Sequence, residues 1–339
     1  MYYITRKDIK LPKRESDSHK GDNGTVLVVG GSRNFVGAVT LAGLAALRSG
    51  ADLVKIVAPE KVAWAINAYS PDIITKKFPS EIFLPIHFSI IKEEINKFDV
   101  SEIAKAHTLG LKSKASRRMR VSEANSLTSH GFPSMLKNTP RALARGRVFD
   151  ILLIGNGIGL NKETKKFCKM TIRNIKKLKV IDADAIKSIS MDDAENSIIT
   201  PHSKELEYFL INSKVNKSII NEINNESNIS RKSKLIKKIT QKFLDKNNII
   251  LLKGKIDIII SKNKIFYNKT GNAGMTKGGT GDVLAGLCAG FLAQSKDLLQ
   301  SAVNAAYFNG LIGDILLKKK KGFSYLASDM VEEIKRISY

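Results

Sequence analysis

The stretch Gly271-Asn-Ala-Gly-Met-Thr-Lys-Gly-Gly-Thr-Gly-Asp-Val-Leu284 holds five glycines in its first eleven residues, followed by Asp282 at the head of an apolar run. The run, residues 283–292, predicts a buried helix that begins directly after a glycine loop. A helix N-terminus carries unpaired N–H groups and a partial positive charge, which favour a phosphate. A carboxylate beside such donors suits phosphoryl transfer, where a base takes a hydroxyl proton. The alternative is a glycine-rich turn with a structural aspartate, because such loops are common.

Upstream of this loop, the chain opens with a strand–helix–strand pattern after a polar and basic arm of about 20 residues. Residues 25–32 form an unbroken β-branched run that ends in glycines, which predicts a buried parallel strand and a tight turn. Residues 37–48 predict a helix of small side chains, and residues 52–58 predict the next strand. The crossover of such a unit is right-handed. The spacing from Gly30 to Gly37 does not fit G-x-G-x-x-G, which excludes a dinucleotide fingerprint.

The same alternation continues in the second half of the chain. We predict strands at 151–159, 179–184 and 197–202, helices at about 161–178 and from Lys204, solvated helix or loop at 212–235, a strand pair at 248–254 and 257–261, and two or three closing helices. This order is typical of an α/β fold with a mainly parallel central sheet and helices on both faces. Ligands of such folds bind at the carboxyl ends of the strands.

The bulk composition narrows the class of protein. A chain of 339 residues with 43% hydrophobic residues is long enough for one large domain or two small ones. Its apolar runs are shorter than a membrane span, and we see no signal peptide at its start. The two cysteines, Cys168 and Cys288, are far apart and lack metal-ligand spacing, which favours a reducing, cytoplasmic setting.

The net charge of +24 invites a nucleic-acid function, but the pattern of charge argues against one. The lysines are spread along the chain and outnumber the arginines 43 to 13, which is typical of an AT-rich genome. We therefore expect no specific nucleic-acid binding. A diffuse positive field would still favour anionic substrates.

Residues 100–150 break the alternation. They contain six of the thirteen arginines and carry a net charge of +7. The segment is bracketed by Phe98-Asp99 and Phe149-Asp150, so joining Asp99 to Ile151 gives a natural lead into a strand. We interpret the segment as a basic insertion extruded from a single domain that spans residues 1–339. An RNA-binding arm is the alternative, although the segment holds a single aromatic residue before its end, Phe132.

Several motifs in a fixed order resemble one family, the ADP- or ATP-dependent NAD(P)H-hydrate dehydratases, which have a ribokinase-like fold. The matching segments are His19-Lys-Gly-Asp22, Gly30-Gly-Ser32, Gly155-Asn-Gly-Ile-Gly159, Asp182-Ala-Asp184, Thr200-Pro-His202, Lys253-Gly254, Gly271 to Leu284 and Leu326-Ala-Ser-Asp329. The resemblance covers nearly the whole chain except residues 100–150. The glycine loop alone is shared in outline with other ribokinase-like enzymes, so the combination is what is specific. The segment that resembles the family is the dehydratase part alone.

The resemblance implies a metabolite-repair lyase acting on hydrated NADH or NADPH. ADP or ATP phosphorylates the ring hydroxyl, and loss of phosphate then restores the double bond. Mg²⁺ is expected on the nucleotide phosphates, with no metal held by the protein alone. The family also implies a homo-oligomer. Whether ADP or ATP is used, and whether hydrated NADH or NADPH is preferred, is left open by the sequence.

The resemblance also implies a role for each matching residue. Asp282 is the catalytic base and contacts the substrate. The hydrated dinucleotide is also contacted by Ala38, Gly157 and His202. The adenine nucleotide is bound by Lys253, Gly254, Lys255, Ile256 and Asp257 and by Gly279, Thr280 and Gly281. For His202 the alternative is a strand-end histidine whose ring is satisfied by backbone groups, and Asp182 and Asp184 are expected to be structural.

Two residues depart from the family pattern, and two other functions stay open. Ala273 stands where the family often has proline, which removes a φ restraint, and Asn309 stands where it often has histidine. One alternative function is a small-molecule (vitamin-precursor) kinase of the same fold, which would release a phosphorylated product. The other is a non-enzymatic nucleotide- or RNA-binding protein.

Overall fold

One central sheet organises the residues that the structure describes. The computed structural model describes residues 1–96 and 149–336. The strands there are β1 Thr25–Val29, β2 Leu53–Pro59, β3 Ile74–Phe78, β4 Ile151–Ile154, β5 Leu178–Ile181, β6 Ser197–Ile199, β7 Ile249–Leu252, β8 Asp257–Ile260 and β9 Ile265–Asn268. The α-helices there are α1 Val36–Arg48, α2 Glu60–Tyr69, α3 Phe88–Asn96, α4 Lys162–Asn174, α5 Ala183–Ile186, α6 Ser203–Asn212, α7 Lys217–Asn225, α8 Ile229–Ile239, α9 Gln241–Leu244, α10 Thr280–Ser295, α11 Leu298–Lys319 and α12 Ala327–Glu333.

The strands are ordered β3-β2-β1-β4-β5-β6-β7-β8-β9. Neighbours from β3 to β7 pair in parallel, and β8 and β9 complete the sheet as antiparallel strands. Two apolar cores flank the sheet, one containing α1, α10 and α11 and the other containing α4, α6 and α8. The predicted α/β fold is therefore confirmed. The edge where the parallel strands end, called the carboxyl edge below, is where a ligand is expected.

Small residues place α10 beneath the centre of this edge. A Cβ at Gly286 would lie 2.3 Å from the carbonyl oxygen of Ala42, and one at Gly290 would lie 1.9 Å from Ser49 Oγ. Only glycine therefore allows α10 to approach α1 so closely. Gly43 of α1 faces the side chain of Ile56 in β2. The small residues of α1 thus let this helix lie close on the sheet, as predicted. Packing between α1 and α10 thus fixes where the glycine loop delivers Asp282.

Some boundaries differ from the prediction. Helix α4 ends at Asn174 rather than near 178, because the chain is extended at Ile175 and β5 begins at Leu178. Residues 212–235, predicted to be solvated helix or loop, contain α7 and most of α8. Both helices have a buried inner face, which in α7 includes Ile220 and Ile223. Isoleucines at helical spacing bury that face despite the polar average of the segment. The N-terminal arm pairs with the outer strand, since Ile4 N donates to Tyr267 O at 2.8 Å.

The predicted insertion lies almost wholly outside the described residues, at 97–148. Its last two residues are described. Phe149 is buried, and Asp150 accepts a 2.8 Å hydrogen bond from the backbone N–H of Thr25 at the start of β1. The extent of the insertion and the single-domain assignment therefore stay predictions. In the described part of the chain, none of the helices combines the length and the apolar character needed to cross a membrane.

Candidate active site

Polar residues follow four neighbouring strands at the carboxyl edge. They are the 155–159 loop after β4, Asp182 after β5, Thr200 to His202 after β6, and Lys253 after β7. The N-terminus of α10 meets them from one face of the sheet. Because parallel strands end at the same edge, residues up to 126 positions apart come into contact here.

Asn156 joins the two aspartates at the centre of the site. Its Nδ2 donates to Asp282 Oδ1 at 2.7 Å and to Asp182 Oδ2 at 3.0 Å, and the asparagine is fully buried. Gly155 before it has φ +125°, and a Cβ there would lie 1.9 Å from Asp182 O. The strand-to-glycine motif is therefore required so that the amide can reach both carboxylates. Asn156 was not among the predicted site residues.

Lys253 is the cation that faces this acidic group. Its Nζ lies 3.0 Å from Asp182 Oδ1 and 3.5 Å from Glu205 Oε2. Burial opposes the charge of Lys253, but Asp182 and Glu205 outweigh burial and raise the pKa of the lysine. Asp182 also accepts a 2.7 Å hydrogen bond from Thr200 Oγ1, so its role is to hold the lysine rather than to react.

Of the carboxylates near Lys253, Asp282 has the fewest hydrogen-bond and ion-pair partners. Burial and the negative charge of Asp182 raise its pKa to about 6, against which the Asn156 hydrogen bond and Lys253 act more weakly. A carboxylate with that pKa is ionised at neutral pH yet basic enough to take a proton in a transition state. The electrostatics therefore fit the predicted role of a general base.

The glycine loop presents the first turn of α10 to the same space. Gly279 has φ +96°, and a Cβ there would lie 2.7 Å from the side chain of Leu41, so the turn requires glycine. Thr280 Oγ1 donates back to Met275 O at 2.7 Å, which closes the loop. The first N–H groups of a helix have no partner within the helix, and here Thr280 N donates back to Lys277 O at 3.5 Å. A Cβ at Gly281 would lie 3.4 Å from Lys253 Nζ, so the loop and the lysine lie next to each other.

Side chains hold this loop in place. Lys277 Nζ donates to Phe323 O and, at 2.7 Å, to Tyr325 O, so its charge anchors the segment before α12 rather than a phosphate. Asn272 Oδ1 accepts from Gly274 N at 3.0 Å and from the Tyr325 hydroxyl at 2.7 Å. The turn formed by Asn272 restrains the backbone at Ala273, the position where the family often has proline.

The segment predicted to line the adenine nucleotide, residues 253–257, is the turn between β7 and β8. Gly254 N donates to Asp257 Oδ1, and Asn268 Nδ2 donates to Asp257 Oδ2, each at 3.1 Å. Burial raises the pKa of Asp257 to about 6. Lys255 is exposed and Ile256 is partly buried. Through Lys253 the turn is connected to the first turn of α10.

Two of the residues predicted to contact the dinucleotide touch each other. Gly157 has φ +64°, and a Cβ at this position would lie 3.2 Å from Ala38 Cβ and 2.7 Å from Phe35 Cβ. Ser32 Oγ donates to Gly157 O at 2.8 Å, which ties the loop after β1 to the loop after β4. Ala38 and Gly157 therefore form one small-residue surface beside Asn156.

His202 lies on the other side of the site, paired with Lys253 across β6 and β7. Its Nδ1 accepts from Lys204 N at 3.1 Å and Glu205 N at 3.4 Å, so it caps α6. The ring is half exposed, and its Nε2 lies 3.4 Å from Glu205 Oε1. Burial lowers the pKa of His202, Glu205 opposes that shift, and the nearby lysines add to it. Because Nδ1 accepts backbone hydrogen bonds, the proton of the neutral ring is on Nε2. The sequence left open that the His202 ring is hydrogen-bonded by backbone groups. This holds for Nδ1 and not for Nε2.

Among the described residues, no group of three histidine, cysteine or carboxylate side chains is placed to hold a metal ion. Mg²⁺ bound with a nucleotide keeps several waters and is held by phosphate oxygens and by one or two carboxylates. Glu205 was also absent from the predicted site, although its position three residues after His202 is the spacing of a helix capping pair. Asp184 accepts from Gly159 N at 3.1 Å and is structural.

A sequence model of the NAD(P)H-hydrate dehydratase family matches residues 26–110 and 101–336 of the chain. The bifunctional NAD(P)H-hydrate repair enzyme Nnr of Methanocaldococcus jannaschii is 35% identical over 340 residues, which cover 99% of this chain and 52% of that enzyme. The ADP-dependent (S)-NAD(P)H-hydrate dehydratase of Cenarchaeum symbiosum is 29% identical, covering 95% of this chain and 91% of that enzyme. The chain thus spans about half the length of the bifunctional relatives.

Solved structures agree in fold. A ribokinase-like superfamily protein of Enterococcus faecalis superposes with a TM-score of 0.69 at 22% identity, covering 99% of this chain and 94% of that one. The ADP/ATP-dependent NAD(P)H-hydrate dehydratase of Bacillus subtilis, co-crystallised with ATP and Mg²⁺, gives 0.66 at 21% identity, covering 99% and 98%. The predicted ribokinase-like fold is confirmed.

Proposed function

The chain belongs to the NAD(P)H-hydrate dehydratase family, and from this premise we propose that it converts hydrated NADH or NADPH back to the reduced coenzyme, with ADP or ATP as phosphoryl donor. The observation that carries the proposal is the environment of Asp282. A partly buried carboxylate with a pKa of about 6 lies in the first turn of α10, and the N-terminus of that helix favours an anion. Base and anion site are thus supplied together.

In the first step, Asp282 accepts the proton of the ring hydroxyl as the hydroxyl oxygen bonds to the terminal phosphorus. The bond from that phosphorus to its bridging oxygen breaks, and the nucleotide leaves shortened by one phosphoryl group. Asn156 holds the Asp282 carboxylate at 2.7 Å, so that the base is positioned before the substrate arrives. The protein contributes mainly positioning and charge stabilisation to such a transfer.

In the second step, the carbon–oxygen bond breaks with its electron pair on the departing phosphate. The neighbouring ring carbon loses a proton to water, and the ring double bond is restored. The first-turn N–H groups that held the transferring phosphoryl group also stabilise the leaving phosphate. One phosphate is therefore released for each coenzyme repaired, which makes the protein a lyase driven by nucleotide hydrolysis.

The adenine nucleotide would be bound by Gly279, Thr280 and Gly281 through backbone N–H groups, and by the 253–257 turn. Lys253 is within reach of both, because a Cβ at Gly281 would lie 3.4 Å from its Nζ. Mg²⁺ would be carried on the phosphates and would neutralise part of their charge. No side chain of the chain is assigned to it.

The hydrated ring would lie between the Ala38–Gly157 surface and Asp282. Gly157 has no side chain and Ala38 only a methyl group, so the surface that they form together can take a flat ring beside Asn156. His202 would face the same ligand through its half-exposed ring, whose Nε2–H is a donor. The sequence-derived contacts thus enclose the reacting ring from two sides.

Three further assignments belong to this proposal. We propose a single domain over residues 1–339 with an extruded insertion at 100–150, a homo-oligomer as the family resemblance implies, and a cytoplasmic location. The buried, unpaired thiols of Cys168 and Cys288 are consistent with a reducing compartment. Light scattering of the purified chain would test the homo-oligomer.

The direct test is recovery of the near-ultraviolet absorbance of the reduced nicotinamide. We would incubate the purified chain with hydrated NADH and Mg²⁺, adding ADP, ATP or neither. Absorbance that returns with one nucleotide and stays absent without any supports the proposal and identifies the donor. No recovery with either nucleotide, from protein shown to be folded, would refute it.

A further inference from the structure

A cavity of about 510 Å³ lies at the same carboxyl edge, beyond the ends of β1, β2 and β3. Its apolar walls are Val36, Pro59, Val62 and Pro79. Pro59 is the last residue of β2, and Pro79 directly follows β3. The volume is in the range of small-ligand pockets.

The cavity is joined to the candidate active site by one loop, residues 30–35. Arg33 of this loop lines the cavity, while Ser32 Oγ donates to Gly157 O at 2.8 Å. Gly31 N donates to Asn156 O at 2.9 Å. The Cβ of Phe35 faces Gly157, and the Phe35 side chain is exposed. Because Phe35 lies in the chain between Arg33 and Val36, which both line the cavity, a ligand on the Ala38–Gly157 surface has a route past Phe35 into the cavity.

The order of the strands separates two binding regions. The cavity is at β1 to β3, Asn156 and Asp282 lie near β4, and Lys253 follows β7 on the far side. The proposed nucleotide site occupies the β7 side. A dinucleotide whose nicotinamide end reaches Asp282 therefore finds space for its other end toward β1 to β3, so that donor and acceptor meet from opposite directions, as an in-line transfer needs.

The polar lining is suited to a ribose rather than to a phosphate. Arg33 Nη1 lies 3.7 Å from Glu81 Oε2, and the other charged residues are Glu60 and Lys61. Two cations and two anions leave no net positive charge for a phosphate dianion. The carboxylates can accept hydrogen bonds from ribose hydroxyls, while the apolar walls can cover a base.

We propose that this cavity binds the adenosine half of the hydrated dinucleotide, and that its balanced charges favour hydrated NADH over hydrated NADPH. The inference rests on the proposed function. It adds Phe35 as the aromatic surface between the two halves and Glu60, Glu81 and Arg33 as the residues that set specificity.

The test compares hydrated NADH with the hydrated form of reduced nicotinamide mononucleotide, which has the same ring hydroxyl and no adenosine. We expect kcat/KM for the mononucleotide to be lower by at least about tenfold, because remote binding energy contributes to the reaction. Glu60→Trp, at an exposed position on the cavity wall, should lower kcat/KM for hydrated NADH by a similar factor and leave the mononucleotide unchanged. Glu222→Trp, at an exposed site on α7, is the matched control and should change neither value.

A separate variant tests whether the cavity charges set the preference between hydrated NADH and hydrated NADPH. Glu81→Gln releases Arg33 and should reduce the preference for hydrated NADH over hydrated NADPH by about tenfold, which corresponds to 1.4 kcal/mol. Equal kcat/KM for mononucleotide and dinucleotide, or an equal loss on both in Glu60→Trp, would overturn the adenosine subsite. A wild type that prefers hydrated NADPH would overturn the charge assignment. A wild type inactive on every hydrate would instead refute the proposed function and this inference with it.

Discussion

Two aspartates at opposite ends of the parallel sheet, Asp193 buried and Asp282 partly buried, differ in how well their charge is matched by partners. Asp193 precedes β6 at the amino edge and accepts two 2.8 Å hydrogen bonds from Ser190, through its N–H and its hydroxyl, and it also contacts Arg173 and Lys169. Burial alone would raise its pKa, but these partners outweigh burial and lower it. Asp282 at the carboxyl edge has a pKa raised to about 6 by burial and Asp182.

The difference indicates a structural role for Asp193 and a catalytic role for Asp282. At the amino edge, a buried charge is matched by several donors, so it stabilises the fold. At the carboxyl edge, Asp182, Glu205 and Asp282 share Lys253 as a nearby cation, and the pKa of Asp282, like that of Asp257, is raised to about 6. Groups whose surroundings push the pKa toward the working pH are typical of catalytic sites.

The largest effect is expected from Asp282→Asn. The amide keeps the shape of the side chain but cannot accept the hydroxyl proton, so turnover should fall by about two to four orders of magnitude. Nucleotide affinity should change little, because backbone groups hold most of the phosphate. Initial rates on hydrated NADH and calorimetric titration with the nucleotide measure these two quantities. Turnover close to that of the wild type would remove Asp282 from the mechanism.

The same variant should be more stable than the wild type at neutral pH. The folded-state pKa of about 6 exceeds the ordinary 3.8, so the folded state holds this proton more tightly and loses stability as pH rises from about 4 to 6. Asparagine removes that cost, and we expect a gain of about 1–2 kcal/mol in the free energy of unfolding at pH 7. The gain should vanish near pH 4, which urea unfolding at both pH values would show.

At the other edge, Asp193→Asn should do the opposite. Its charge-assisted contacts to Arg173 and Lys169 would be lost in a side chain with no exposed surface, so stability at pH 7 should fall by about 2 kcal/mol. In the wild type, this contribution is present above the ordinary pKa and is lost as pH falls through the lowered one. Turnover at 25 °C should be unchanged. A variant with native stability, or with impaired turnover, would contradict the contrast between the edges.

The pH dependence of the wild type provides a smaller and more specific signal. Below about pH 6 the carboxyl of Asp282 is protonated and cannot act as a base, so kcat/KM should fall about tenfold for each further pH unit. Lys253, whose pKa is raised, keeps its charge throughout this range. A rate that is flat from pH 7 to pH 5 would mean that another group takes the proton.

The smallest effect is expected from removing residues 100–150. Joining Asp99 to Ile151 puts Phe98 and Asp99 in the place of Phe149 and Asp150, which lead into β4. The Thr25 N–H would therefore keep a carboxylate partner like the one that Asp150 provides. Doubling the length of a loop costs only about 0.6 kcal/mol, so thermal stability and turnover should be nearly unchanged. A folded but inactive deletion would place the segment in the site.

Local patterns in the sequence were enough to predict the α/β fold and the helix that begins after the glycine loop, because strand runs, glycine turns and the helix start are encoded in neighbouring residues. The catalytic role of Asp282 stays a prediction. The contact between Asn156 and Asp282 was not predictable in this way, since 126 residues separate them and only the strand order brings them together. Glu205 was missed although its spacing from His202 is a local capping signal, because its contact with Lys253 depends on the pairing of β6 with β7. The buried faces of α7 and α8 were missed because the average polarity of 212–235 hid its spaced isoleucines.

The most direct measurement follows phosphate and reduced coenzyme in the same reaction. Wild type, Asp282→Asn and Asp193→Asn would be mixed with hydrated NADH, Mg²⁺ and the active nucleotide, and inorganic phosphate and NADH would be quantified together by chromatography. We predict one phosphate for each NADH formed in the wild type and in Asp193→Asn, and a turnover reduced by at least about 100-fold in Asp282→Asn. A stable phosphorylated dinucleotide that accumulates without NADH would contradict the account and make the protein a kinase of the same fold.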